Sequence, residues 1–158
     1  MLKFSETDIV FREFPNEVTL AINLTNCPHR CKGCHSPHLQ TDCGTELTES
    51  VLESIIDKYK NSITCVGFMG GDSDLESLHR LVKFVACRFP TIKLGWYTGN
   101  ICFVDSDLER LFDYIKLGPY IEELGPLDKS TTNQKLYKNA GILSDGSVNW
   151  EWIPMFKK

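Results

Sequence analysis

A chain of 158 residues, 42% apolar and 24% charged, has the length of one ordinary domain and enough hydrophobic side chains for a real core. A formal charge of −4 and a pI near 5.6 give no basic footprint and argue against a nucleic-acid partner. The opening "MLKFSETDIV" has no apolar stretch of the signal-peptide kind, and no run approaches the roughly 18 apolar residues of a membrane span, so the expectation is a cytoplasmic protein without membrane contact.

In chain order, "EVTLAINLTN" alternates Val18, Leu20, Ile22 and Leu24 with small or polar residues, which predicts a strand. A cysteine-rich loop follows. "ELTESVLESIIDKYKN" sets Val51, Leu52, Ile55, Ile56 and Tyr59 on one stripe, which predicts a helix capped by Thr48. "ITCVGFMGGD" reads as a buried strand ended by glycines, and "SDLESLHRLVKFVACRF" as an amphipathic helix stopped by Pro90. "TIKLGWYTGN" gives a third strand, "VDSDLERLFDY" a short third helix and "YIKLGPY" a fourth strand. The tail holds a polar loop and then a hairpin turning at "SDGS". Strands alternating with helices predict a mostly parallel sheet with right-handed crossovers. Ligands of such sheets sit beyond the carboxyl ends of the strands, so the cysteine loop, "GGD", "YTGN" and "LGPY" are expected to converge on one rim.

The stretch "TNCPHRCKGCHSPH" holds three of the seven cysteines, with Cys27, Cys31 and Cys34 at C-x3-C-x2-C. In a reducing compartment such clustering points to metal binding or catalysis more than to disulfides. Zinc would require a closed tetrahedral shell with His29, His35 or His38 as fourth ligand. His35 adjoins Cys34, a poor geometry for sharing one metal, and the chain lacks a second cysteine pair. A cubane 4Fe-4S cluster on three thiolates keeps one iron open for another molecule, as catalytic metal sites do. Both readings stand at this point, the first as a non-enzymatic zinc-binding module.

The triplet directly after a first strand resembles the signature of the radical S-adenosylmethionine superfamily. In that superfamily the amino and carboxylate groups of S-adenosyl-L-methionine chelate the open iron. Gly70, Gly71 and Asp72 resemble its Gly-Gly-Glu/Asp turn, whose backbone meets the methionine amino group. More narrowly, "CPHRCKGCH", "GWYTGN" and "STTNQKLY" resemble the activating proteins of anaerobic ribonucleotide reductase, over about Thr19 to Tyr137.

The resemblance implies a single radical S-adenosylmethionine domain over residues 1–158, folded as a reduced, open partial (β/α) barrel. Its mostly parallel sheet would have about four to six strands and a C-terminal hairpin. It implies an oxidoreductase in which Cys27, Cys31 and Cys34 are the metal ligands. Gly33, Cys34, His35, Gly70, Gly71 and Asp72 would be the cofactor-binding residues. An electron from flavodoxin or ferredoxin cleaves S-adenosylmethionine, and the resulting 5′-deoxyadenosyl radical takes hydrogen from a backbone glycine. That glycine belongs to the large glycyl-radical subunit of anaerobic ribonucleoside-triphosphate reductase. Another glycyl-radical enzyme or a small molecule is the alternative target, although the chain carries no cysteine-rich insert of the larger activases. The family's glycine-containing segment before the first strand is replaced here by "FREFPNE", and His35 stands where an aromatic residue is common.

Plainer readings stand beside these. Gly33 is also an ordinary loop glycine, Gly70–Gly71 a simple strand-to-helix turn and Asp72 a helix cap. His29 and His38 read as solvated loop residues, and His79 receives no role. Lys116 reads as a lysine snorkelling at a strand end or as a partner of the cofactor carboxylate. The run 130–134 is a polar turn or a cofactor or partner contact. Cys43, Cys65, Cys87 and Cys102 read as small buried hydrophobes, and Trp96, Trp150 and Trp152 as core or interface.

Overall fold

The structure is a computed structural model that describes residues 1–31, 33, 37–104 and 106–155. Cys34 and His35, two of the expected site residues, lie outside them.

Four of the expected strands are present: β2 (Thr19–Leu24), β4 (Cys65–Met69), β5 (Lys93–Tyr97) and β6 (Tyr114–Leu117), where β1 (Lys3–Val10) and β3 (Thr45–Glu46) complete the numbering. They lie side by side in parallel, joined through α1 (Glu49–Tyr59), α2 (Leu75–Arg88) and α3 (Asp107–Arg110). The tail forms β7 (Lys135–Ile142) and β8 (Val148–Ile153), antiparallel to β6 and to each other, around the expected turn. The described residues make one mixed sheet of eight strands, ordered β3-β1-β2-β4-β5-β6-β7-β8, which stays open and does not close into a barrel.

Two strands exceed the expected four to six. β1 pairs antiparallel with β2, and β3 extends that edge. β1 lacks an apolar stripe because one of its faces carries Glu6 and Asp8 toward an open cleft, so little hydrophobic alternation marks it.

Helix ends follow their caps. The Thr48 hydroxyl accepts the Val51 N–H at 3.2 Å, Asp74 accepts the Ser77 N–H at 3.1 Å, and Ser106 and Glu109 form a reciprocal capping box. Asp74, not Asp72, therefore caps α2. No described helix is long and apolar enough to cross a membrane.

The period-2 alternation of the parallel strands sorts their side chains into two faces. Leu20, Ile22, Val66, Phe68, Leu94, Trp96 and Ile115 pack with Leu52 and Ile56 of α1 and Leu78, Leu81, Val82 and Val85 of α2. The other face has small residues at its middle, flanked by Cys65, Met69, Tyr97 and Tyr114. Ala21, Gly67 and Gly95 stand in register across β2, β4 and β5. Phe14, from the "FREFPNE" segment between β1 and β2, fills the trough they leave. It is 0% exposed, 5.4 Å from the Tyr97 ring and 5.3 Å from the Tyr114 ring. A Cβ on Gly95 would lie 2.3 Å from Cζ of Phe14, so the trough exists because glycine stands there. Burying one phenylalanine completely stabilises by roughly 1.5–3 kcal/mol.

Candidate functional site

Because β2, β4, β5 and β6 are parallel, the loops at their carboxyl ends meet on one rim. They open onto a cleft of about 1530 Å³ whose walls include Cys27, His29, Cys31, Gly70, Asp72, Tyr97, Thr98, Gly99, Lys116 and Gly118. The four segments expected on one rim are all there.

The cysteine loop leaves β2 with its base fastened backbone to backbone. Asn26 N–H donates to the Thr41 carbonyl at 2.9 Å and Cys27 N–H to the Leu39 carbonyl at 2.8 Å. Asn26, Arg30 and Gly33 adopt φ values of 59°, 53° and 72°, so the chain coils tightly between the thiols. Cys27 and Cys31 are free, half-buried and face the cleft. Among the described residues no three His, Cys, Asp or Glu side chains form a group able to hold a metal, and the expected third ligand, Cys34, lies outside them. Two soft thiols on the lining of one roomy cleft fit an iron–sulfur cluster in ligand type.

The next turn is Gly70–Gly71–Asp72. Its glycines have φ values of 108° and 98°, which a side-chain-bearing residue adopts only with strain. Gly70 lines the cleft, and its carbonyl accepts the Trp96 indole N–H at 2.8 Å. Gly71 sits behind the rim, where a Cβ would meet Leu24 and Leu78 at 3.1 Å.

The Asp72 side chain is only 5% exposed and ties three loops together. Its Oδ1 accepts the Thr98 hydroxyl at 2.6 Å. Its Oδ2 accepts the Gly99 N–H at 3.1 Å and pairs with His29 Nε2 at 2.8 Å. His29 is thus not a solvated loop residue. It is 23% exposed and bound across the rim, whereas His38, 55% exposed, pairs loosely with Glu6 at 3.4 Å. The ties of Thr98 and His29 to Asp72 leave no mark in the sequence, because each crosses a long sequence separation that neither spacing nor periodicity records.

Lys116 is buried rather than snorkelling at the surface. It is 7% exposed, its Nζ donates to the Gly118 carbonyl at 3.1 Å, and it lies 5.1 Å from the centre of the Tyr97 ring. The Tyr97 hydroxyl donates to the Glu13 carbonyl at 2.9 Å, and burial pushes its phenol above the ordinary range. The replaced segment before β2 therefore forms part of the cleft wall, with Arg12 and Glu13 on its lining.

In the run 130–134, Thr131 and Thr132 donate to the carbonyls of Leu124 and Gly125 at 2.6 and 3.1 Å. Asn133 and Gln134 donate to those of Pro119 and Gly118 at 3.1 and 3.3 Å. The run works as the polar turn that pins the loop after β6, and it also sends Ser130 and Gln134 to the cleft. Of the four scattered cysteines only Cys65 packs as a buried hydrophobe, at 0% exposure, and burial pushes its thiol up to about 12. Cys43, Cys87 and Cys102 are exposed, against expectation. Trp96 is core, Trp150 stacks on Phe103 at 4.8 Å, and Trp152 is 47% exposed.

With the rim in view, comparison with known families gives a clear answer. The model of the 4Fe-4S single cluster domain matches residues 18–146, from the start of β2 to the turn of the C-terminal hairpin. The chain belongs to that family. No curated protein and no solved structure matches it.

Proposed function

We propose that the protein is a radical S-adenosylmethionine activase that installs the glycyl radical of anaerobic ribonucleotide reductase. One observation carries this reading: the thiols of Cys27 and Cys31, the Gly70–Asp72 turn, the Thr98–Gly99 turn and Lys116 share one open cleft at the carboxyl ends of parallel strands. Family membership supports the iron–sulfur part.

Cys27, Cys31 and Cys34 would hold the cluster, which leaves one iron for S-adenosylmethionine. A cluster held there and reduced by a flavodoxin- or ferredoxin-type donor would supply the one-electron reduction of S-adenosylmethionine on which hydrogen abstraction from the target glycine depends. The chain's own residues bind and orient. The glycine turn would keep side chains away from the methionine end, with Gly70 on the cleft lining and Gly71 packed behind it against Leu24 and Leu78. Asp72 holds the turn in place, and Lys116, which lines the cleft together with Arg12 and Lys129, is the residue we assign to the methionine carboxylate. The cleft exceeds the roughly 300–1,000 Å³ of an ordinary small-molecule pocket, which suits a site that admits both a cofactor and a loop of a large partner.

The test is anaerobic. Reduced protein with S-adenosylmethionine and the reductase should release 5′-deoxyadenosine and give the doublet of a glycyl radical on the partner. Release of 5′-deoxyadenosine without that doublet would redirect the reading to another target, and no cleavage at all would end it.

A further inference from the structure

We infer that His29 is a positioning residue, a lock that fastens the cysteine loop to the turns after β4 and β5 and so fixes where Cys27 and Cys31 stand. The inference rests on these thiols being cluster ligands, as the family membership supports.

The receiving end of the lock is built independently of the loop. Asp72 is held by the Thr98 hydroxyl at 2.6 Å and the Gly99 N–H at 3.1 Å, both at the end of β5, and its side chain is 5% exposed. Thr98 is fixed in turn, since its own N–H donates to the Lys116 carbonyl at 3.0 Å and its hydroxyl accepts the Asn100 N–H at 3.1 Å. A carboxylate with two such donors has a set position and few lone pairs to spare.

His29 reaches this carboxylate at 2.8 Å, from a loop 43 residues away in sequence. An ionised carboxylate only accepts hydrogen bonds, so Nε2 carries the proton and donates it. The ring also needs space. A Cβ on Gly99 would fall 2.5 Å from its Cδ2, so glycine at that place is what lets the imidazole lie against the β5 turn. Donor, acceptor and gap come from three separate segments.

Position gives the lock its effect. His29 stands midway between Cys27 and Cys31, and Arg30 at φ 53° turns the chain directly after it. Fixing the ring fixes the chain between the two thiols. Among the described residues, the other anchors of this stretch sit at its two ends, where Cys27 N–H donates to the Leu39 carbonyl and the Gln40 amide reaches the Cys31 carbonyl at a longer 3.4 Å. Partners of this kind around ligands typically alter metal retention by about 10–100-fold when removed.

The experiment compares wild type with His29→Ala and His29→Gln, whose amide N–H can reach the same carboxylate. Three quantities are read: the rate at which an iron chelator strips the reconstituted cluster under anaerobic conditions, amide hydrogen exchange of residues 27–31 in the apoprotein, and Tm. The expected result is at least about 10-fold faster stripping in His29→Ala. Exchange should be faster in 27–31 but unchanged in β4 and β5, and His29→Gln should recover most of both. A wild type with a full cluster and a His29→Ala variant that loses iron at the same rate would overturn the lock alone. Equal loss in both variants, tracking a lower Tm, would reduce His29 to a general stability contact and overturn it too. A wild type that holds zinc and no iron would overturn the cluster reading itself, and the lock with it.

Discussion

At the carboxyl ends of β2, β4, β5 and β6 the chain leaves its strands through Gly70–Gly71, Thr98–Gly99 and Gly118, and two half-buried thiols open onto a cleft. At the amino ends the same strands are sealed. There Glu17, its side chain 5% exposed, accepts the Thr64 hydroxyl at 3.1 Å and pairs with Lys93 at 3.1 Å. The bond to Glu17 holds the Lys93 ammonium above its ordinary range. Cys65 lies at this end with no exposure and its thiol pushed up to about 12. Between the ends Phe14 fills the glycine trough. One sheet thus makes thiols available at one end and inert at the other, and the difference lies in the environment of each cysteine rather than in the residue type.

The sharpest way to break the contrast is to remove a rim thiol. Cys31→Ala should lose the cluster entirely, seen as absent visible absorption and iron, with far-UV circular dichroism of the wild type because no core residue is touched. Full iron content in that variant would remove Cys31 from the ligand set.

The middle of the contrast is tested by stability. Phe14→Ala should cost about 3–5 kcal/mol in chemical denaturation, and Gly95→Ala about 1–3 kcal/mol by overpacking. Because both act on one trough, Gly95→Ala should cost much less in the Phe14→Ala background. Additive costs would show that the two sites do not share the space the fold assigns them.

The sealed end makes a pH prediction. The unfolded Cys65 thiol ionises near 9 while the folded one stays protonated until about 12. Over that window the native state binds more protons, so stability falls as pH rises, by about 1.4 kcal/mol per unit for this one thiol. Buried Tyr97, its phenol also pushed up, adds to the decline in the same direction above its ordinary range. Denaturant midpoints across this window should fall less steeply in Cys65→Ala than in wild type, and identical slopes would contradict the burial argument. The smallest expected effect comes from the exposed thiols. Cys43→Ser, Cys87→Ser and Cys102→Ser should each leave iron content unchanged, and a loss at any of them would mean a further ligand.

Much of this architecture was legible in the sequence for a simple reason. In the parallel strands and in α1 and α2, hydrophobic period and local caps agree with the final packing, as Leu20 and Ile22 or Thr48 illustrate. The convergence of the four loops followed from topology alone. β1 was not legible, because a strand with one face on an open cleft carries Glu6 and Asp8 where a buried strand would be apolar. The binding of His29 and Thr98 to Asp72 was equally hidden, since a contact between loops 26 or more residues apart leaves no local pattern. The "FREFPNE" segment read as a departure from a family pattern, and only the facing glycines of β4 and β5 explain why it holds Phe14.

The central claim is an iron–sulfur cluster at the cysteine loop with one iron open to S-adenosylmethionine. Its most direct test is the low-temperature electron paramagnetic resonance spectrum of anaerobically reconstituted, reduced protein, recorded with and without S-adenosylmethionine. The account predicts the signal of a reduced 4Fe-4S cluster whose g values shift when S-adenosylmethionine is added. A cluster signal indifferent to S-adenosylmethionine would contradict the open iron, and a spectrum silent in iron from protein that holds one tight zinc would contradict the cluster itself.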